Sequence, residues 1–169
     1  MIREGGRILS NILKEMISEV KPGVSTLVLE NILVKRIKEA GGLPAFKDYD
    51  MGDGVLFPSA LCASINNEVV HGTAIPGRLL KSGDIIDLDI GMEWPVDPKV
   101  RAAVKGPVNK FSPNGGFFTD MCATVPVGKV SQAAKKLLKI TRECLEAGIA
   151  QANPGNTLND IGGAVQFIA

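Results

Sequence analysis

An α+β protein, with an antiparallel sheet and helices packed on one face of it, is what this sequence predicts. Apolar residues recur at helical spacing near both ends of the chain, and the middle holds strand-like stretches joined by turn residues. Helices at the ends with hairpin strands between them belong to the α+β class. A third observation concerns how the fold is built. Lys21-Pro22-Gly23-Val24-Ser25-Thr26 ends one helical stretch and opens the next, and Asn153-Pro154-Gly155-Asn156-Thr157 does so again near the last residue. An internal near-repeat of this kind points to a duplicated architecture. Residues 1–152 would form its first half and residues 153–169 the opening of a truncated second half.

The elements follow in order. Ile8, Leu9, Ile12, Leu13, Met16, Ile17 and Val20 make residues 3–20 an amphipathic helix, ended by Pro22-Gly23. Thr26 is a candidate N-cap for a second helix, with Leu29, Ile32, Leu33 and Ile37 on its buried face and Gly41-Gly42 as its stop. Residues 43–58 read as loop. Leu61–Ile65 and Val69–His71 read as short strands around the turn-prone Asn66-Asn67. From Ile85 to Met92 the chain alternates, with Ile86, Leu88, Ile90 and Met92 on one face and Asp87 and Asp89 on the other. Residues 93–116 hold four of the ten prolines together with Lys99, Arg101, Lys105 and Lys110, and read as an irregular basic connection. Phe117–Val127 is the next strand, with Phe118, Asp120, Cys122 and Thr124 sharing a face. Two helical patterns complete the chain, one around Ala134–Ile149 and one from Thr157 onward.

Bulk properties narrow the function classes. The 169 residues are 45% apolar and 22% charged, with a net charge of +1, which suits a soluble globular protein and offers no general attraction for nucleic acid. Cys62, Cys122 and Cys144 are odd in number and widely spaced, as expected of reduced thiols in the cytoplasm. No apolar run reaches the length of a membrane span, and no phosphate-binding glycine motif is present.

Asp89 and Asp120 are the best candidates for chemistry. If their strands pair, both carboxylates can face one spot. Two carboxylates so placed need a shared proton or a cation between them, and a divalent metal pair meets that need. Ordinary aspartates on the wet side of a sheet fit the same pattern. Asp87 shares their face as a solvated or supporting residue. His71, the only histidine, follows a strand end where functional side chains often sit, although a lone histidine near a turn also serves structure. Cys62 is a small buried residue or, with His71, the partner in a nucleophilic pair, and nothing local activates its thiol.

Taken in order, several segments resemble the type I methionine aminopeptidases. The strongest stretch runs from Cys62-Ala63-Ser64-Ile65-Asn66-Asn67-Glu68-Val69-Val70-His71-Gly72 into Gly83-Asp84-Ile85-Ile86-Asp87-Leu88-Asp89. Asp120-Met121-Cys122-Ala123-Thr124, followed by Val127-Gly128, and the two Pro-Gly junctions also fit. The resemblance extends from about residue 3 to the end, apart from residues 93–116.

It implies the pita-bread fold, with this chain as its N-terminal half, and removal of the initiator methionine from nascent chains by metal-activated water. It implies Asp89 and Asp120 as ligands of two divalent ions (cobalt, manganese, iron or zinc), His71 as a catalytic hydrogen-bond donor to substrate, and Phe57 and Cys62 as walls of the methionine pocket. The family's remaining ligands, one histidine and two glutamates, lie in a second half. Glu143 and Glu146 are not their equivalents, so the metal centre is expected to be incompletely ligated here. Three consequences are open: an enzyme completed by its missing half, a non-catalytic pita-bread half that acts as a binding module or is a degenerate fragment, and self-association that brings four aspartates to one cavity.

Overall fold

The computed structural model describes residues 1–96 and 115–169. Lys99, Arg101, Lys105 and Lys110 of the expected basic connection therefore lie outside the described residues. The chain divides into two compact units, Met1–Gly128 and Lys129–Ala169.

In the first unit, helix α1 (Ile2–Glu19) buries one stripe, Leu9, Ile12, Leu13 and Met16, at the predicted helical spacing. Helix α2 (Thr26–Glu39) buries Leu29, Leu33 and Ile37. Its N-cap is Ser25, not Thr26: the Ser25 hydroxyl accepts from the Leu27 N–H at 3.3 Å. Thr26 is the first helical residue and is buried, and its hydroxyl donates to the Ala74 carbonyl at 2.9 Å and accepts from the Arg78 N–H at 3.0 Å. At the other end Gly41 takes the left-handed conformation (φ 76°) that lets the Gly42 N–H return to the Ile37 carbonyl. The Arg36 guanidinium forks onto Glu15 and so ties α2 to α1.

The sheet is built around strand β3 (Ile85–Trp94), which is antiparallel to each of its neighbours. Strands β1 (Leu43–Pro44) and β2 (Leu61–Ile65) pair with it along one edge, and β4 (Phe117–Pro126) along the other. Ile86, Leu88, Ile90 and Met92 are fully buried and join Leu61 and Ala63 in a core shared with α1 and α2. Burying those apolar side chains drives the assembly. Asp87, Asp89 and Gly91 project from the opposite face, as the sequence alternation requires.

Val69–His71 is not a strand. Val69 and Val70 are largely exposed, and the chain returns to β2 only at Gly72, whose carbonyl accepts from the Ala63 N–H. A β-branched pair favours extended backbone, but a ladder also needs partners, and here the Ile65 N–H is taken by the Glu68 carboxylate. Residues 43–58 contain β1 as well as loop. Glu30 of α2 is buried, and its carboxylate accepts from the Ala60 and Leu61 N–H groups, each at 2.8 Å.

The second unit is a helical pair. Ser131 caps helix α3 (Gln132–Gln151) by accepting from the Ala134 N–H. Asp160 holds the start of helix α4 (Leu158–Ile168) by accepting from the Thr157 N–H at 2.7 Å. A Cβ on Gly148 would lie 3.2 Å from Val165, so the glycine lets the two helices meet closely. Each Pro-Gly junction of the near-repeat joins two helices through a glycine of positive φ, 89° at Gly23 and 96° at Gly155.

Candidate active site

Strands β3 and β4 stay in register from Ile85 opposite Pro126 to Trp94 opposite Phe117. Within that ladder Asp89 faces Cys122 and Asp120 faces Gly91. The two aspartates are therefore diagonal neighbours on one face, with backbones about 7–8 Å apart and side chains free to converge. Cys62 flanks Asp89 from the other side, through the β2 pairing. All three line a cavity of about 540 Å³ together with Phe46, Tyr49, Met51, Phe57 and His71.

The electrostatics of this cavity are those of crowded negative charge. Burial first, then the charges of Asp120 and Asp87, push the Asp89 carboxyl up to about 6, while His71 pulls the other way. Burial raises Asp120 as well. Such a pair favours a bound proton or cation. Asp87 is held apart from the cavity: it accepts from the Thr124 hydroxyl at 2.8 Å, across the ladder. Burial and the nearby Asp89 push the Cys62 thiol up to about 12. It is thus a neutral, soft wall at neutral pH, and the Cys–His nucleophilic pair loses its support.

His71 sits at the exposed tip of the loop after β2 in a left-handed backbone conformation (φ 58°). Its ring meets Phe57 edge-on, with centroids 6.5 Å apart. The cavity thus gathers the five residues to which the resemblance gave site roles, Asp89, Asp120, His71, Phe57 and Cys62, and leaves Asp87 outside. It also recruits Phe46, Tyr49 and Met51 from the stretch expected to be loop. That segment folds back on itself through Tyr49–Phe57 and Met51–Val55 backbone hydrogen bonds. The signal that could have found them is a cluster of aromatic and thioether side chains in a stretch with no helical or strand period.

Gly91 gives the Phe46 ring its seat. A Cβ there would lie 2.6 Å from the ring edge and 3.1 Å from the Ala45 methyl. Gly91→Ala is expected to drive Phe46 into the cavity and cost about 1–3 kcal/mol of stability. Urea unfolding and a structure of the variant check both effects.

Residues 1–96 and 111–169 match metallopeptidase family M24, and the chain belongs to that family. Methionine aminopeptidase 1 of Bacillus subtilis is 38% identical over 167 residues, covering 98% of this chain. A methionine aminopeptidase of Aquifex aeolicus is 36% identical over 169 residues. Among solved structures, a methionine aminopeptidase from Streptococci superposes with a TM-score of 0.84 at 30% identity, over 98% of this chain and 62% of that one. The chain spans 56% of the Bacillus relative and 58% of the Aquifex relative. The fold is the α+β half of a pita bread, as expected.

Among the described residues no three His, Cys, Asp or Glu side chains come together to hold a metal ion. Asp89 and Asp120 fit a divalent cation as two oxygen donors, which is part of a ligand set. None of the described helices is long and apolar enough to cross a membrane.

Proposed function

We propose that this chain carries the substrate pocket and two metal ligands of a methionine aminopeptidase that acts on the amino-terminal methionine of nascent peptides. The observation that supports this reading is the cavity, with aromatic and sulfur-bearing walls at one end and paired carboxylates at the other. An unbranched thioether suits soft, polarizable walls, so Phe57 and Cys62, joined by Phe46 and Met51, take the methionine side chain. In this reading the first peptide bond lies beside Asp89, Asp120 and His71. Divalent ions, when bound by the two aspartates and further ligands, supply Lewis acidity toward the first peptide carbonyl. His71 donates a hydrogen bond to the scissile amide or to the charge that develops there. Its exposed position on a pinned loop leaves the ring free to meet a peptide. The unpaired cysteines favour a reducing compartment, and we place the protein in the cytoplasm.

The test is methionine release from a Met-Ala-Ser peptide by the full chain with manganese or cobalt added. Asp89→Ala should abolish release, and His71→Ala should lower kcat about 10²–10³-fold. A second reading has its own support, in the two-donor metal set: a pita-bread half that binds a peptide's first residue without cleaving it. Calorimetric binding of the same peptide, with no release in any metal and no metal uptake that depends on Asp89, carries that reading and sinks the first.

A further inference from the structure

The loop that carries His71 has few contacts of its own. Val69 and Val70 point outward, and His71 is exposed. What fixes the loop lies beneath it. The Arg78 guanidinium donates through Nη1 to Glu68 Oε1 at 2.6 Å, and through Nη2 to the Ala63 carbonyl at 2.6 Å and the Thr73 carbonyl at 3.0 Å. Glu68 precedes His71, Thr73 follows it, and Ala63 belongs to β2. A single planar fork therefore holds both ends of the loop against the sheet.

The other Glu68 oxygen, Oε2, accepts from the Ile65 N–H at 2.8 Å. On the far side of His71, the Gly72 N–H donates to the Ser64 hydroxyl at 3.1 Å. A Cβ on Gly72 would lie 2.6 Å from the Ala63 carbonyl, so the backbone is pressed onto β2 there. Arg78 is itself anchored. Its carbonyl accepts from the Thr26 N–H at 2.9 Å, and its N–H donates to the Thr26 hydroxyl at 3.0 Å, at the start of α2.

We propose that Arg78 is the positioning residue for His71: anchored on the start of α2, it clips Glu68 and Thr73 to β2 and holds the imidazole beside Phe57 at the mouth of the cavity. The left-handed backbone at His71 is uncommon for a residue with a side chain and persists where its surroundings over-determine it. The Arg78 clip supplies that constraint. Lysine could not replace it, because a point charge cannot reach a carboxylate and two carbonyls in one plane. The proposal rests on the role given to His71 above.

Because His71 is the only histidine, its ring gives one set of NMR signals in the full chain. In the metal-free wild type we expect a cross-peak between the His71 and Phe57 rings and a ring-current shift of the imidazole. Arg78→Ala should lose both, with the β3 and β4 amide signals in place. Glu68→Gln should lose both as well, because it puts an amide NH2, a donor only, where either Arg78 or the Ile65 N–H needs an acceptor. If Arg78→Ala does not fold, Glu68→Gln decides. Retention of the His71–Phe57 cross-peak in either folded variant overturns the proposal.

Kinetics adds a second arm. With an active wild type, Arg78→Ala should lower kcat by about 10²-fold, with KM nearly unchanged. A rise in KM with kcat unchanged overturns the positioning role. A wild type that releases no methionine bears on the proposed function and not on the clip, which the NMR arm then decides alone.

Discussion

Asp89→Asn will raise the melting temperature of the metal-free chain at pH 7 while removing its affinity for divalent metal. The two effects share one cause. Asp89 is partly buried beside Asp120 and Asp87, and its carboxyl titrates at about 6 in the folded protein against an ordinary value of 3.8. A raised folded pKa means that the folded state holds the proton more tightly than the unfolded chain. The stabilisation is complete below about pH 4 and is lost as pH rises through about 6. At neutral pH the metal-free site therefore carries a charge that folding disfavours, and the amide removes it. If Asp89 holds metal as proposed, the same amide takes away an anionic ligand. Affinity should fall more than about 100-fold, since losing a group that merely orients a ligand already costs about 10–100-fold. Thermal melts between about pH 4 and about pH 7 check the first effect. Manganese titration by calorimetry checks the second. A variant melting below the wild type at pH 7 without metal would contradict this account.

Glu30→Ala is expected to be the most damaging single substitution away from the cavity. The Glu30 side chain is 3% exposed, and its two oxygens accept from the Ala60 and Leu61 N–H groups at 2.8 Å. Those donors lie where β2 begins, and Ala60 and Leu61 are fully buried. Leaving two buried N–H groups unpaired costs about 1–3 kcal/mol each, or about 2–6 kcal/mol together. A domain of ordinary stability, about 5–15 kcal/mol, would keep little margin. Glu30→Gln retains one acceptor and should fall between the two. Urea unfolding measures the series. Because Cys62 follows Leu61 directly, the folded fraction of Glu30→Ala should also show a loosened cavity wall.

Much of this was legible in the sequence, for reasons that differ from element to element. The apolar stripe of α1 and the alternation of β3 are periodic, and period survives without knowledge of partners. Asp89 and Asp120 could be paired because strand neighbours in sequence are commonly neighbours in the sheet. The cap of α2 was misplaced by one residue, since Ser25 and Thr26 both carry a hydroxyl and only the tertiary contacts with Ala74 and Arg78 show which of them turns inward. Val69 and Val70 look like a core strand by composition, but their exposure depends on what Glu68 and Gly72 do with the β2 backbone. Phe46, Tyr49 and Met51 reach the aspartates only through the fold, across a long stretch of sequence with no period to follow. The Arg78 contacts were hidden for a different reason: Thr73, Glu68 and Ala63 lie only 5, 10 and 15 residues away, but no period marks a basic side chain that turns back onto them.

The ladder between β3 and β4 has a consequence for how this protein can change over time. Sliding one strand by a single position would turn Asp120 to the opposite face, and the continuous pairing from Ile85–Pro126 to Trp94–Phe117 opposes that slip. The spacing of the two carboxylates is thus set by the strands themselves and not by the chain that links them. The family match passes over residues 97–110, within that link. Sequence can accumulate there as in the margin of a page, leaving the lines of the text where they were.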